Sequence, residues 1–333
     1  MLDERKASIL RAVVERYIQT AQPVGSGHVA RSPDVGVSSA TIRNDMVALE
    51  HEGYLLQPHT SAGRIPTEKG YRYFVDSLTG TTALDRASAD QVRAFFELTH
   101  GEIEQMLHDT TRLLSDLTDY AAVVVGPAQE AATVRSAQFV SLSPTVALFV
   151  AVLSNAVVEK RTIEFTSPVA EERLVAATAH LSAHLVDQHL SAIAGLAASG
   201  DPAVDGIVTQ TAQALTADHD VDAEHVFVGG AARMADAFDA VETVRSVLTI
   251  LEQQLVVVSL LRDVLDRGLQ VAIGTETGMA PLAECSLVVA PYRVGGEPAG
   301  TIGVLGPTRM NYPQALAAVA VVSKRLGQRL SEG

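Results

Sequence analysis

The stretch "SSATIRNDMVALE", Ser38 to Glu50, decides how this chain is read. On a helical wheel Ile42, Met46 and Leu49 share one side, and Ala40, Arg43, Asn44 and Val47 project from the other. Its first turn, Ser39-Ala40-Thr41, carries no carboxylate, although an acid there would complement the positive helix end. The chain is otherwise acidic, with 25 Lys and Arg against 39 Asp and Glu and a net charge of −14. A small, uncharged helix mouth in such a chain suits a partner that brings its own negative charge. Arg can bond guanine, Asn can bond adenine, and small residues allow close approach to thymine methyls. Ser38 and Ser39 hydroxyls with free N–H groups suit a phosphate. An ordinary surface helix capped by Ser38 explains the same residues, because capping also favours Ser.

The flanking sequence extends the DNA reading. Upstream, Asp3 to Gln19 has helical spacing at Ile9, Leu10, Val13, Val14, Tyr17 and Ile18. A region punctuated by Pro23, Gly25, Gly27 and Pro33 leaves room for one short helix after Ser26. Downstream, "YLLQPHTSAGRIP" reads as a short hairpin, and Thr67 can cap "EKGYRYFVDSL". Three helices and a small hairpin in this order suit a winged helix-turn-helix. Its recognition helix offers Ser39, Thr41, Arg43 and Asn44 to the major groove, with Ser38 as cap and phosphate contact. In the wing, Gly63 supplies the turn and Arg64 a cation near the tip for phosphate or the minor groove, with His59, Thr60 and Ser61 as further donors. A solvated hairpin with a chance Arg is the competing account.

Charge distribution agrees with a division of labour. Residues 1–78 hold nine basic and nine acidic residues, so the remainder carries 16 basic and 30 acidic and the whole −14. An acidic body repels DNA and confines contact to the neutral end. The chain has 47% apolar residues and a mean hydropathy of +0.18, yet no run of eighteen apolar residues. The opening "MLDERKASIL" mixes acids and bases, so neither a membrane span nor a signal peptide is expected, and the location is expected to be cytoplasmic. Cys285, the single cysteine, sits among strand formers and reads as a buried thiol.

Beyond residue 78, "LTGTTALDRASA" reads as a linker and Asp90 to Thr118 as a long helix. Four β-type runs follow to Phe165, then helical periods to about Leu215 and a brief strand "EHVFVGG". A helix over Val241 to Gly268, three more β-type runs and a last helix from Pro313 to Leu330 complete the chain. Strands, helices and strands again suggest a helical insert interrupting one α/β domain. "LVAATAHLSAHLV" is either a dimer seam or a core helix.

Signs of enzyme chemistry are weak. His180 and His184 are four apart, but Leu181 stands where a zinc protease helix needs its Glu. "GTIGVLG" lies in a strand pattern before Pro307, so it is not a nucleotide fingerprint. Arg309 in "GPTRMNY" could bind an anion, or the stretch could be a structural turn. Nucleophile-elbow motifs and paired carboxylates do not stand out. No catalytic residue, cofactor or metal is expected.

"VSSATIRNDMVALEHEGYLLQPHTSAGRIPTEKGYRYFVDSL", Val37 to Leu78, resembles the hallmark region of the HrcA family of heat-inducible transcription repressors, and "GTIGVLGPTRMNYPQALAAV", Gly300 to Val319, resembles its second signature. The short string "SSATIRNDM" alone would also suit a DeoR-like repressor, but the wing and tail would not. One departure is "GTETG", Gly274 to Gly278, where a Glu-Asn pair is expected in the family. The resemblance implies an α+β chain with a winged helix-turn-helix domain over residues 1–78, then a linker and long helix over 79–118. It further implies a GAF-like α/β domain over 119–167 and 236–333, and a mainly helical dimerising insert over 168–235. It also implies a homodimer on an inverted-repeat operator upstream of chaperone operons, dependent on a GroEL-type chaperonin that heat-damaged proteins occupy during stress. The competing functions are a metabolite-responsive repressor with a small effector in the GAF-like domain, and a chaperonin client or adaptor with a vestigial DNA domain.

Overall fold

The computed structural model describes residues 2–59, 62–78, 83–98, 103–126, 132–154, 157–217, 226–233, 238, 241–268 and 270–332. It is an α+β protein. An amino-terminal head contains α1 (Glu4–Thr20), α2 (Ser26–Val29), α3 (Ser39–His51), the ribbon β1 (Leu55–Leu56) and β2 (Ile65–Pro66), and α4 (Glu68–Asp76). Side chains begin these helices by satisfying orphan N–H groups. Asp3 accepts from the Lys6 N–H at 2.8 Å, Ser38 from Thr41 at 3.2 Å, and Thr67 from Gly70 at 3.2 Å. Ile9, Leu10, Val13, Ile42, Leu49 and Leu55 are buried to 1% or less and form the head's core. Each such side chain contributes about 1.5–3 kcal/mol through burial.

After the head come α5 (Arg86–Leu98) and α6 (Ile103–Thr118), which flank residues outside the described set where one long helix was expected. A five-stranded antiparallel sheet is built from β3 (Ala121–Val125), β7 (Val226–Gly229), β8 (Val271–Ile273), β9 (Cys285–Val294) and β10 (Glu297–Pro307), in the order β7-β3-β10-β9-β8. The β9–β10 hairpin turns on Gly295 and Gly296, both at positive φ, as a two-residue hairpin requires. Both faces of this sheet are covered. α6 and α11 (Tyr312–Glu332) cover one, and the apolar cluster there runs on without interruption into the core of the head. α9 (Val241–Glu252) and α10 (Gln254–Asp266) cover the other. They replace the single helix expected over Val241 to Gly268 and meet at 97° around Gln253, whose backbone is not helical. No Pro or Gly marks that corner, so the periodicity runs straight through it. Among the described residues no single helix is long and apolar enough to cross a membrane.

The region expected to be a helical insert does not stand apart as helices alone. β4 (Val134–Ser143), β5 (Val146–Leu153) and β6 (Val158–Glu164) form a separate three-stranded sheet, order β4-β5-β6. It packs on α7 (Glu171–His184) and α8 (Pro202–Ala217) with a core of its own drawn from Ala132 to Leu215. The expected boundary at residue 168 therefore divides one unit, and the brief strand at 226–229 belongs to the other sheet, beside β3. The apolar stripe of "LVAATAHLSAHLV" faces inward: Leu174, Ala177 and Leu181 are buried against the sheet, which favours the core-helix account of that stretch.

Candidate nucleic-acid interface

α3 has two chemically distinct sides. Ile42, Met46 and Leu49 are buried beneath it. Ala40, Arg43 and Asn44 are exposed on the other side with Val47, 36% exposed. Neither Arg43 nor Asn44 has a side-chain partner among the described residues. At the helix mouth the Ser38 hydroxyl lies 3.0 Å from Thr41 Oγ1, and Ser39 Oγ lies 3.0 Å from Ser26 Oγ, which ties α3 to the start of α2. The first turn holds no acid, so no charge opposes the positive end of the helix dipole, and Ser38 occupies only the Thr41 N–H.

The acids that α3 does carry are each drawn away from that side. Buried Asp45 accepts from Arg5 of α1, at 2.9 Å from Nε and 3.3 Å from NH2. Glu50 pairs with Arg64 at 2.8 Å, and Glu52, the C-cap, pairs with Lys6 at 2.7 Å. Lys69 donates to the Glu52 carbonyl at 2.8 Å and lies over the Tyr54 ring at 4.3 Å, and Arg72 pairs with Glu276. Five of the head's nine basic residues are thus committed internally. The other four, Arg11, Arg16, Arg31 and Arg43, are exposed without an ion pair among the described residues. A net charge of zero therefore conceals an uneven surface.

Arg64 departs from its expected place. It lies on the loop side of the β1–β2 ribbon, just before Ile65, but is held inward: its N–H and C=O exchange hydrogen bonds with Val24 at 2.9 Å, and its side chain is 15% exposed against Glu50. Gly63 is required there for contact and not only for turning. A Cβ at Gly63 would lie 2.4 Å from the Val24 carbonyl carbon and oxygen. His59 is exposed, and its carbonyl accepts from Ala62 at 2.9 Å. Thr60 and Ser61 lie outside the described residues.

The partners of Asp45 and Glu50 were not named from the sequence, because such pairs join residues 40 and 14 positions apart. Missed too was the joint between head and body. Arg72 on α4 grips Glu276 through Nε at 2.9 Å and through NH2, and donates to the Val271 carbonyl at 2.7 Å. One turn earlier Glu68 accepts from Thr275, at 3.1 Å from the backbone N–H and 2.6 Å from the hydroxyl. Burial alone would raise the Glu276 carboxyl. The Arg72 hydrogen bond, the Ile273 N–H and the charges of Arg72 and Arg267 outweigh burial and hold the group below its usual range. Thr277, in the Gly274–Gly278 loop, is buried and closes the loop by donating to the Gly274 carbonyl at 2.9 Å.

The remaining candidates have structural roles. Gly300 and Gly306 lie in β10, where a Cβ would collide with the Val125 carbonyl and with the Tyr120 ring respectively. The His180 and His184 rings stack at 4.6 Å, with His180 Nε2 3.0 Å from the Ala197 carbonyl and His184 Nδ1 2.9 Å from that of His180. Cys285 is fully buried, and burial, with Glu284 adding to it, pushes its thiol up to about 12.

Known proteins resemble this chain along its whole length. Residues 104–316 match the family described as HrcA protein C terminal domain. The heat-inducible transcription repressor HrcA of Streptomyces avermitilis is 37% identical over 339 residues, 100% of each chain. Its counterpart in Pelotomaculum thermopropionicum is 38% identical over 342 residues, 99% of this chain and 97% of that one, and that of Nocardioides sp. is 39% identical over 344 residues, 100% of each. A crystal structure of a hypothetical protein at 2.2 Å shares the fold with a TM-score of 0.70 at 23% identity, covering 100% of this chain and 99% of that one. The class is that of transcription repressors. Within it, the chain belongs to the HrcA family of heat-inducible transcription repressors.

Proposed function

We propose that the head is a winged helix-turn-helix whose α3 enters the major groove, and that two copies read an inverted-repeat operator upstream of chaperone genes. The observation that carries this reading is the sorting of charge on α3. Asp45, Glu50 and Glu52 are paired by Arg5, Arg64 and Lys6, while Arg43 and Asn44 stand exposed without partners among the described residues. Ser39, Thr41, Arg43 and Asn44 enter the major groove, with Arg43 and Asn44 bonding base edges and Ala40 and Val47 beside them, and Ser38 caps the helix and contacts a phosphate. His59 approaches the neighbouring backbone from the wing, while Gly63 and Arg64 fix the angle of the wing against α3.

The five-stranded unit is the GAF-like domain in this reading, and the three-stranded unit is the dimerising insert. Its seam is the outer face of β4–β6. Val140 is 42% exposed, Leu142 58% and Val158 44%, and Leu148, beside Val140 in register, is half-buried. A two-fold pairing of these faces covers an apolar surface and supplies the symmetry an inverted repeat needs. In the cytoplasm, a GroEL-type chaperonin keeps the repressor in its active form, and heat diverts that help. This last element rests on family membership.

A gel shift on the gene's own upstream region, with and without chaperonin, tests the reading. Selective retention of a palindromic fragment is expected. Equal binding of palindromic and scrambled DNA under both conditions refutes it.

A further inference from the structure

The contacts between α4 and the Gly274–Gly278 loop join two parts of the chain with different tasks. α4 is fastened to the recognition helix on one side. Lys69 donates to the Glu52 carbonyl at 2.8 Å, Thr67 donates to the Gly53 carbonyl at 2.7 Å, and Gly70 lies so near the Tyr54 carbonyl that a Cβ would come within 2.3 Å of its oxygen. On its other side α4 is fastened to the body through Arg72 with Glu276 and the Val271 carbonyl, and through Glu68 with Thr275. Gly274 permits the approach: its φ is +54°, and a Cβ there would lie 2.1 Å from the Glu68 carboxylate. Between these two polar grips the Tyr71 and Tyr312 rings meet at 5.9 Å. The Tyr71 hydroxyl is buried there with no hydrogen-bond partner among the described residues, so the middle of the joint is apolar and its polar contacts lie at the edge.

We propose that Arg72, Glu276, Glu68 and Thr275 are positioning residues for DNA recognition: they hold the head at one angle on the body and thereby set the half-site spacing that a dimer accepts. This rests on the reading of the protein as a dimeric DNA-binding repressor. A rigid chain of contacts runs from Val271 and Glu276 through α4 to the end of α3. Rotation of the head about α4 changes the separation of two recognition helices without altering a single base-contacting residue. Spacing between half-sites is a geometric consequence of that separation.

Two measurements test the proposal. In the first, the full-length protein carries a fluorescent donor and acceptor at Arg16→Cys on the head and Glu297→Cys on the body. Cys285, buried, stays unlabelled. Single-molecule transfer in the parent gives one narrow distance distribution, and Glu276→Gln broadens or splits it. An unchanged distribution in Glu276→Gln overturns the proposal, and this readout requires neither DNA nor a partner copy. In the second, affinity is measured for a series of inverted repeats with identical half-sites and varied spacers. The parent prefers one spacer, and in Glu276→Gln that preference falls to within about twofold while affinity for a single half-site is unchanged. Retained spacer preference in the variant overturns the proposal. Failure of the parent to select the half-site sequence overturns the DNA-binding reading and leaves the distance measurement to decide the joint. Should Glu276→Gln lose its thermal transition, Thr275→Val, which deletes one hydroxyl contact, is judged by the same two criteria. The exchanged pair Arg72→Glu with Glu276→Arg restores the narrow distribution if the contact acts by holding an angle.

Discussion

The head and the three-stranded unit each have one side that the other described residues leave uncovered, but the two sides differ in kind. On α3 the open side presents Arg43, Asn44, Ala40 and Val47, mostly polar or small groups that water solvates well. On β4–β6 the open side presents Val140, Leu142, Leu148 and Val158, while the opposite side is sealed by α7 and α8. A solvated cationic face can be vacant between engagements at little cost. An apolar sheet face in water costs roughly 25 cal/mol for each Å² left open and favours a permanent cover. Under the proposed function, the contrast separates a transient partner from a standing one, DNA at the head and a second copy at the three-stranded unit.

The largest effect is expected from breaking the apolar side. Val140→Arg places a charge on an already exposed position of β4 and should leave the unit folded. Sedimentation is expected to show monomer, and operator affinity falls by on the order of 10²–10⁴-fold, because the second half-site contact is no longer intramolecular. A dimer that survives this change, with full affinity, removes the insert face from the assembly.

Next in size is Gly63→Ala. The added methyl meets the Val24 backbone at 2.4 Å, and neither strand of contact can yield without displacing Arg64 or the α1–α2 connection. A loss of ~1–3 kcal/mol in stability is expected. Denaturant unfolding followed by circular dichroism measures it, and an unshifted midpoint would show that the two backbones are not held this closely.

Arg43→Ala and Arg64→Ala sharpen the distinction between the outward and inward sides of α3. Arg43→Ala is expected to cost ~1–3 kcal/mol of operator affinity and to relax preference at one base pair, with stability unchanged. Arg64→Ala removes the partner of Glu50 and is expected to cost ~1 kcal/mol of stability or less, since the pair is partly solvated. Its salt dependence of DNA binding should stay close to that of the parent. A salt slope reduced by about one in Arg64→Ala would return Arg64 to the phosphate contacts.

The extent to which sequence disclosed this architecture follows the range of the interactions. The helix starts at Asp3, Ser38 and Thr67 were legible because a cap acts over three residues. The exposed side of α3 followed from period alone. What escaped was non-local. Arg64 was read as a wing cation because nothing near it in sequence reveals Glu50 as its mate across the head. β4–β6 were assigned to the large sheet because alternation identifies a strand and not its neighbours. The corner at Gln253 left no trace, since the apolar positions of α9 and α10 continue in phase.

The smallest effect concerns pH and reads the joint that links the polar head to the body. Glu276 is held below its ordinary carboxyl range of about 4.5 in the folded protein, by the Arg72 grip, the Ile273 N–H and the charges of Arg72 and Arg267 acting against burial. Asp76, 3.4 Å from Arg72, and Glu68 are the other acids on α4 at this joint. A group whose folded pKa is depressed stabilises the fold above its unfolded pKa and loses that contribution as pH falls through the folded value. The joint's share is therefore complete at neutral pH and fades below about pH 4.5, with a size of about 1 kcal/mol or less because Glu276 is one-third exposed. Thermal unfolding of the parent and Glu276→Gln across pH 3 to 7 isolates it, the two curves converging as the pH falls. Parallel curves over that whole range would mean that Glu276 is as free in the folded chain as in the unfolded one, and that the head is not gripped there.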